Sequence, residues 1–429
     1  MRNTNRDRER LALLGGAPAL DEPLPESRTI GAEEAEAVAE VMQSGVLSGF
    51  YGSLGPQFFG GPKVQAFEKA WSERFGVRHA VSVNSATSGL IAAVGATGAG
   101  PGDEIIVPPW TMSATAVAPL VYGAVPVFAD IEAETFCLDP EGVAAAITPR
   151  TRAIIAVNLF GHPARLKELR ALADARGIFL IEDNAQGLLA EEDGRLAGGI
   201  GHIGVFSLNY HKHIHTGEGG ICVTQDDRLA FRLQRIRNHG ENVVDATDAQ
   251  DMANLYGFNF RLTEMSAAVG IEQLKRINAR VAGRERIAKA LSAGIADLEG
   301  LRAPNVREGC RHAFYVWGML YDEAVVGVPR DTFCKALAAE GVPHFQGYVK
   351  PLYLLPLFQQ RIAMGRHGFP FDQSTVRYDK GLCPVTERLH ESMFIGVETC
   401  MYDPSPRQVD QLIKAFRKVH ALRAALQTQ

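Results

Sequence analysis

The chain has 429 residues, of which 46% are hydrophobic and 22% are charged, with a formal net charge of -5. This length predicts at least two domains, and the composition is typical of a soluble globular protein. No basic patch or long charge run indicates nucleic acid or a membrane as a partner. The N-terminus lacks the pattern of a secretion signal, so we expect a cytoplasmic protein. The six cysteines form no C-x-x-C pair, which favours free thiols in a reducing compartment.

The first part of the chain is predicted to precede the main core. Residues 1–30 are expected to form a mobile N-terminal arm, and helix signals begin near Gly31. Residues 46–61 are rich in glycine, serine and aromatic residues, which predicts a loop. A helix is predicted next, because apolar residues recur there at helical spacing: Val64, Phe67, Trp71 and Phe75.

Short apolar runs then alternate with helical patterns such as residues 164–175. The runs are typical of buried strands and cover residues 80–83, 104–107, 125–128, 153–157, 178–182, 205–207 and 220–223. This alternation predicts an α/β fold with a mostly parallel central sheet covered by helices on both faces. In such sheets ligands bind beyond the carboxyl ends of the strands.

The periodicity changes in the last third of the chain. A long helix over about 272–298 is expected to lead into a smaller C-terminal α+β domain, where residues 314–321 predict a strand. Residues 344–380 are rich in proline and aromatic residues, which predicts an irregular segment. Ser405 is a good N-cap for a closing helix. The predicted units are an arm (1–30), a large domain (31–275) and a small domain (276–429).

A lysine that could act as a nucleophile, Lys212, follows one of the apolar runs in the stretch SLNYHKHIHTGEGG. Desolvation there would disfavour the ammonium form of Lys212 and leave a neutral amine. A neutral lysine amine can form a Schiff base with an aldehyde cofactor such as pyridoxal phosphate. Taken alone, the same pattern also fits a solvated surface lysine.

Two upstream turns offer contacts for such a cofactor. The stretch VSVNSATSGL predicts a strand, a turn of small residues and a helix start, where backbone N–H groups of Ser85, Ala86 and Thr87 could hold a phosphate. The alternative is a plain strand–helix turn. In PPWTMSAT, Trp110 or Met112 could lie against a flat ring, and the alternative is two core residues.

A carboxylate ends another strand, in LIEDNAQG. Asp183 could keep a pyridine nitrogen protonated, which makes the ring an electron sink. Gln186, three residues later, could bond to the ring hydroxyl. A metal held by Glu182 and Asp183 is the alternative, but adjacent strand residues point to opposite faces.

The lysine stretch has two further polar features. Ser207 could add a hydroxyl group to the phosphate site. The alternating histidines suggest a metal site, but they lack a cysteine or carboxylate at ligand spacing, so we expect no metal there. These histidines are His211, His213 and His215.

The order of these motifs resembles the DegT/DnrJ/StrS aminotransferases, which are PLP-dependent sugar aminotransferases of fold type I. The resemblance runs from about Gly61 to the C-terminus and includes GPGDEIIVPPWT, TRAIIAVNLFGHPA and FNFRLTEMSAAVGIEQL. The family usually has S-G-T where this chain has S-A-T, and an aromatic residue at the position of Met112. A thioether can also pack on a ring. The presence of Lys212 argues against the family's dehydratase branch.

The resemblance implies a role for each motif residue. Lys212 would hold the cofactor as a Schiff base and shuttle protons, and Asp183 would pair with the pyridine nitrogen. Gln186 would contact the ring hydroxyl. In a homodimer with shared active sites, Asn259 would reach the phosphate of the neighbouring subunit. The remaining phosphate contacts would be Ala86, Thr87 and Ser207.

The resemblance predicts transfer of an amino group from glutamate or glutamine to a keto-sugar, often nucleotide-linked, or to a keto-cyclitol. Such a reaction belongs to secondary-metabolite or glycan biosynthesis. We expect the acceptor to contact residues 46–61 and 344–373, with Tyr51 and His344 as candidates. Two alternatives remain: a non-catalytic homologue that binds PLP or a sugar, and a mononucleotide-binding α/β enzyme, although the G-x-G-x-x-G pattern is missing.

Overall fold

The short apolar runs form strands in the computed structural model, which describes residues 10–247 and 251–427. The predicted strands of the first half are confirmed to within about two residues at each end. The strands are β1 (His79–Val83), β2 (Glu104–Val107), β3 (Val125–Phe128), β4 (Thr151–Val157), β5 (Phe179–Asp183), β6 (Glu191–Glu192), β7 (Arg195–Leu196), β8 (Ile203–Ser207), β9 (Gly220–Thr224), β10 (Leu301–Arg302), β11 (Cys310–Arg311), β12 (Trp317–Tyr321), β13 (Phe345–Gln346) and β14 (Phe394–Val397).

Helices form where the sequence predicts them, near Gly31, over residues 64–75 and 164–175, at the Ser85 turn and after Ser405, and others form where no helix was predicted. They are α1 (Ala32–Ser44), α2 (Pro62–Phe75), α3 (Ala86–Ala96), α4 (Ala114–Val121), α5 (Pro140–Ala146), α6 (Leu166–Arg176), α7 (Asp227–Arg237), α8 (Glu264–Lys275), α9 (Ile277–Ile295), α10 (Glu323–Val326), α11 (Arg330–Ala339), α12 (Pro356–Gln359), α13 (Pro384–Arg388) and α14 (Pro406–Ala421). The long helix expected over 272–298 is two helices, because the chain leaves helical geometry at Arg276. Of the described residues, no helix is both long and apolar enough to cross a membrane.

The central sheet has seven strands in the order β1-β9-β8-β5-β4-β2-β3. Pairs β2–β3, β2–β4, β4–β5 and β5–β8 are parallel, whereas β9 runs antiparallel to β1 and β8. The prediction of a mostly parallel sheet is therefore confirmed. Because β5 and β8 are parallel neighbours, their carboxyl ends bring Asp183 and Ser207 to the same edge.

Apolar side chains cover both faces of this sheet. Alternate residues of β4 enter different cores, with Ile154 on one face and Ile155 on the other. Helix α2 buries its predicted apolar stripe, which includes Phe67 and Trp71, in the first core. Helices α3 and α7 bury Leu90 and other residues in the second. Burial on both faces explains why the strands are continuously apolar.

A second sheet forms in the last third of the chain, with the order β10-β12-β14-β13. Its strands are antiparallel, and α9, α11 and α14 contribute to a third core on it. Strand β12 begins later than predicted, because Phe314 has a positive φ of 47° and cannot continue an extended strand. The predicted cap of α14 is present, since Ser405 accepts a hydrogen bond from the Gln408 N–H.

The N-terminal segment is packed from residue 10 onward. Leu11, Leu20 and Leu24 are buried in the third core. The buried carboxylate of Glu340 accepts hydrogen bonds from the backbone N–H groups of Ala12 and Ala19, at 2.8 and 2.9 Å. The prediction of a mobile arm is therefore wrong for this part, because the leucines bury apolar area. Residues 1–9 lie outside the described residues.

Candidate active site

A cavity of about 260 Å³ lies at the carboxyl ends of β5 and β8. It is lined by most of the residues that the motifs single out: Ser85, Ala86, Thr87, Met112, Asp183, Gln186, Ser207 and Lys212. A larger cavity of about 710 Å³ lies between α9 and α14 and contains none of these residues. The smaller cavity is the candidate active site, because it brings the chemically reactive groups together.

Lys212 reaches this cavity from the connection between β8 and β9. The Leu208 N–H donates to Gly219 O, and the Lys212 N–H donates to Asn209 O, both at 2.9 Å, which fixes the turn. The Lys212 Nζ lies 4.4 Å from the centre of the Tyr315 ring. Within residues 10–247 and 251–427, Nζ has no hydrogen bond or ion pair. Burial lowers the pKa of Lys212 to about 8, although the Asp183 carboxylate opposes this shift.

Asp183 is the buried carboxylate of the cavity. Its Oδ2 accepts a hydrogen bond of 2.8 Å from the Thr115 hydroxyl, and its Oδ1 accepts one of 3.2 Å from the Ala185 N–H. Burial raises the pKa of Asp183, while the bond from Thr115 opposes that shift. The two bonds hold the carboxylate in one orientation and favour its charged form.

Glu182 points away from the cavity, as the alternation along β5 predicts. Its carboxylate accepts hydrogen bonds from the backbone N–H groups of Ile200 and Gly201, at 2.7 and 2.5 Å. The two adjacent carboxylates therefore have different surroundings and share no ion. No group of three metal-ligating side chains occurs among the residues that the structure describes.

The small-residue turn begins helix α3 at the cavity wall. Ser85 is the N-cap, and its hydroxyl accepts a hydrogen bond from the Ser88 N–H. The first N–H groups of a helix have no acceptor within the helix, so those of Ala86 and Thr87 are available to an anion. Gly220 of β9 packs against this turn, and a Cβ atom there would lie 2.8 Å from the Ala86 nitrogen.

Two further side chains give the cavity a polar lining. Gln186 accepts a hydrogen bond of 2.7 Å from the Phe160 N–H and donates one of 3.3 Å to the Tyr348 hydroxyl. The Oδ1 atom of Asn209 is buried without a hydrogen-bond partner in the described part of the chain. This acceptor is therefore available to a ligand in the cavity.

Trp110 does not line the cavity. Its side chain is fully buried, and its Nε1–H donates to Val349 O at 2.9 Å. The prediction that Trp110 stacks on a bound ring is therefore wrong, because the indole turns into an aromatic core with Phe160 and Phe394. Met112 does line the cavity, and 63% of its surface is exposed.

Three other predicted contacts lie outside the cavity of this chain. Tyr51 is 61% exposed on its loop, and His344 is bonded through Nδ1 to Val342 O. The structure does not bring either residue to the site, so their role in acceptor binding stays a prediction that this cavity does not support. Asn259 is exposed and pairs with Asn238 in an isolated bridge. Its contact with a neighbouring subunit also stays a prediction.

The three alternating histidines have separate surroundings. His211 lines the cavity, His213 is bonded through Nε2 to Ala313 O, and His215 accepts a hydrogen bond at Nδ1 from the Gly217 N–H. They therefore do not converge on one point. Sequence reasoning assigned no role in this cavity to His211, nor to Thr115, Asn209, Tyr315 or Tyr348. Thr115 is the last residue of the PPWTMSAT stretch, so its closeness to Met112 in the chain was a signal that the sequence contained.

Comparison with known proteins identifies the family. The model of the DegT/DnrJ/EryC1/StrS aminotransferase family matches residues 28–418. The chain belongs to this family. The protein is therefore an aminotransferase, and it depends on pyridoxal phosphate, as the family does. This assignment replaces the alternative of a mononucleotide-binding enzyme and favours an enzyme over a non-catalytic homologue.

Similar proteins cover nearly the whole chain. An L-glutamine:2-deoxy-scyllo-inosose aminotransferase of Streptoalloteichus tenebrarius is 34% identical in an alignment of 411 residues that covers 92% of this chain and 95% of that one. The solved aminotransferase of Psychrobacter cryohalolentis has a TM-score of 0.80 at 29% identity and covers 92% of this chain and 99% of its own. DesI, solved in the presence of its TDP-sugar product, has a TM-score of 0.78 at 31% identity, with 98% of each chain covered. These likenesses confirm the prediction of PLP fold type I.

The residues of the cavity fit the cofactor. Pyridoxal phosphate needs an amine for its aldehyde, an acid for its ring nitrogen and donors for its phosphate. The cavity offers an unpaired lysine amine, a buried carboxylate and the N-terminus of α3. The glycine at position 220 lets β9 pack closely against that N-terminus, where a Cβ atom would lie 2.8 Å from the Ala86 nitrogen.

Proposed function

We propose that this aminotransferase moves an amino group from L-glutamine or L-glutamate to a ring ketone, either a keto-sugar or a keto-cyclitol. The observation that carries the proposal is the unpaired, buried amine of Lys212, which shares one cavity with the buried carboxylate of Asp183. Two relatives that match 92% and 97% of this chain are L-glutamine:2-deoxy-scyllo-inosose aminotransferases, and their function supports the donor and the acceptor class.

In the proposed site, groups from several elements would hold pyridoxal phosphate. The Ala86 and Thr87 N–H groups and the Ser207 hydroxyl would bind its phosphate. Asp183 would bond to the ring nitrogen and Gln186 to the ring hydroxyl. Met112 would pack against the ring, and the Lys212 amine would be the group that holds the aldehyde carbon. When bound, the cofactor supplies an electron sink for the substrate's carbon–hydrogen bond.

Lys212 and Asp183 divide the proton chemistry. The Lys212 Nζ accepts a proton from the substrate carbon and returns it, and a pKa of about 8 suits both steps near neutral pH. Asp183, oriented by the Thr115 hydroxyl, keeps a proton on the ring nitrogen. The Tyr315 ring covers one side of the amine and excludes water from it.

We further propose a homodimer in which Asn259 of each subunit contacts the phosphate site of the other. The large domain of 31–275 would carry the cofactor contacts, and the small domain of 276–429 would complete the cavity. Tyr315 and Tyr348, which line the cavity from the second unit, support this division. Secondary-metabolite or glycan biosynthesis is the proposed setting.

The test uses purified holoenzyme with two donors and two acceptors. L-glutamine and L-glutamate are each combined with 2-deoxy-scyllo-inosose or a TDP-linked keto-hexose, and the aminated product is detected by mass spectrometry. We expect one acceptor to be aminated. No amination of either ring ketone, in a protein whose cofactor absorbance does bleach with a donor, would contradict the acceptor class.

Attachment of pyridoxal phosphate to the apoprotein should become faster as pH rises, with an apparent pKa of about 8. Only the neutral amine attacks an aldehyde, and burial lowers the pKa of Lys212, so the reactive fraction grows through pH 8. Stopped-flow absorbance measures the rate. A rate that still rises steeply up to the ordinary lysine pKa of 10.5 would show that Lys212 is not desolvated.

A further inference from the structure

The turn that follows β13 has an unusual backbone. Gly347 and Tyr348 both have positive φ angles, of 67° and 48°. A left-handed conformation is ordinary for glycine but strained for tyrosine, and such strain persists only where the surroundings enforce it. Strain of this kind concentrates at functional sites, so the contacts that hold the turn are informative.

Trp110 and His390 hold this turn from two sides. The Trp110 Nε1–H donates to Val349 O at 2.9 Å and to Gly347 O at 3.3 Å. The His390 Nδ1–H donates to Gly347 O at 2.7 Å. A Cβ atom on Gly347 would lie 2.5 Å from His390 O, so the turn is closely packed as well as hydrogen-bonded. The carbonyls on both sides of Tyr348 are therefore fixed.

The clamped turn places the Tyr348 side chain in the wall of the cavity. Its ring packs edge-on against Trp110, with centroids 5.6 Å apart, and its hydroxyl accepts a hydrogen bond of 3.3 Å from Gln186 Nε2. Gln186 is itself held by the Phe160 N–H. A tyrosine hydroxyl can also donate, and no acceptor for that proton is present among residues 10–247 and 251–427. The Tyr348 O–H group therefore faces the cavity, where a ligand could accept its hydrogen bond.

The charges around the Tyr348 hydroxyl determine which kind of hydrogen-bond acceptor it favours. Burial, together with the carboxylates of Asp183 and Glu398, raises the pKa of Tyr348 to about 12, so the hydroxyl keeps its proton. Once Asp183 is paired with the ring nitrogen, the Glu398 carboxylate still disfavours an anionic group directly beside the Tyr348 hydroxyl. An uncharged hydroxyl or carbonyl oxygen is therefore the favoured acceptor of this hydrogen bond. A polyhydroxylated ring ketone offers such oxygens, whereas an amino-acid donor presents carboxylates.

We propose that Tyr348 recognises an uncharged oxygen of the acceptor ring, and that Trp110 and His390 are positioning residues that present it by clamping its strained turn. This inference rests on the proposed function, because it assigns a specificity-determining residue to the same cavity. A site built to bond a hydroxyl group discriminates strongly against ligands that cannot accept the bond.

The test separates the two half-reactions of the holoenzyme. Tyr348→Phe removes the donor and keeps the ring, so we expect KM for 2-deoxy-scyllo-inosose to rise about 10-fold, while the rate of donor-induced bleaching changes less than about 2-fold. Trp110→Phe should raise the same KM about 3-fold or more by loosening the turn. Binding of scyllo-inositol, measured by calorimetry, should weaken in parallel and provides a readout that needs no turnover.

Two matched variants control for the loss of a buried polar group. Tyr321→Phe removes a hydroxyl that donates to Val328 O at 2.6 Å, and Trp317→Phe removes an Nε1–H that donates to Ser292 Oγ at 2.9 Å. Both residues lie in the second sheet and outside the cavity. They should lower the melting temperature and leave KM for the acceptor unchanged.

The possible outcomes distinguish failure of the inference about Tyr348 from failure of the proposed function. If the wild type aminates 2-deoxy-scyllo-inosose or a TDP-linked keto-hexose, KM is measured for the ketone that it aminates, and a selective rise of this KM in Tyr348→Phe supports the inference. If Tyr348→Phe changes neither half-reaction, or both equally, the inference is overturned and the proposed function stands. If the wild type aminates neither ketone, the proposed function fails, and the inference fails with it.

Discussion

Replacing Lys212 with alanine should lower kcat for transamination by about 10⁴-fold. The variant loses the Nζ atom that, in the proposed function, attaches the cofactor and moves the proton. The backbone of the turn should survive, because it is held by main-chain bonds such as that from Leu208 to Gly219. Steady-state kinetics measure the loss, and the visible spectrum of the variant should lack the absorbance of lysine-bound cofactor. Small amines such as methylamine should restore part of the activity.

Lys69→Ala is the matched control for this variant. The Lys69 side chain is 78% exposed and forms only a surface ion pair with Glu73, at 3.8 Å. Its removal should leave kcat unchanged. If Lys212→Ala kept more than about a tenth of the wild-type kcat, the assignment of the proton-transfer step to this lysine would be wrong.

Replacing Asp183 with asparagine should lower kcat by about 10³-fold. Asparagine has nearly the same shape and can still bond to Thr115, so the fold should persist. It carries no negative charge, however, and cannot hold a proton on the ring nitrogen of the cofactor. The measurement is kcat at saturating donor, together with the melting temperature of the variant.

The adjacent carboxylate offers a control one residue away. Glu182→Gln removes an acceptor of backbone N–H groups, including those of Ile200 and Gly201, and should lower the melting temperature. At a temperature where this variant is folded, kcat should stay near the wild-type value. Equal losses of kcat in Asp183→Asn and Glu182→Gln would contradict this prediction, because they would show that kcat depends on any buried charge at this strand end and not on the position of Asp183 in the cavity.

Much of the site was predictable because its signals are local. The strands that end at Asp183 and Ser207 contain short apolar runs, and the turn at Ser85 is built from small residues. Strand, turn and helix start are decided by neighbouring residues, and parallel strands bring their carboxyl ends to one edge. The amine, the carboxylate and the candidate phosphate turn could therefore be placed together without coordinates.

Contacts between distant parts of the chain were decided by the tertiary structure alone. Trp110 and Val349 are 239 residues apart, and Gln186 and Tyr348 are 162 apart. The sequence around Trp110 shows an aromatic residue at a strand end but not the side to which it turns. Packing against Phe160 and Phe394 directs the Trp110 side chain into the core. Nor does the leucine pattern of the N-terminus reveal the third core that buries it.

Local sequence thus determined the sheet, the small-residue turn and the positions of Asp183 at a strand end and of Lys212 after a strand, since backbone preference and apolar periodicity act over a few residues. The tertiary structure decided the direction of Trp110 and the entry of Tyr348 into the cavity. The positions of these two side chains depend on which apolar and hydrogen-bonding surfaces come into contact on folding. Those contacts join distant parts of the chain, so no short-range sequence pattern predicts them.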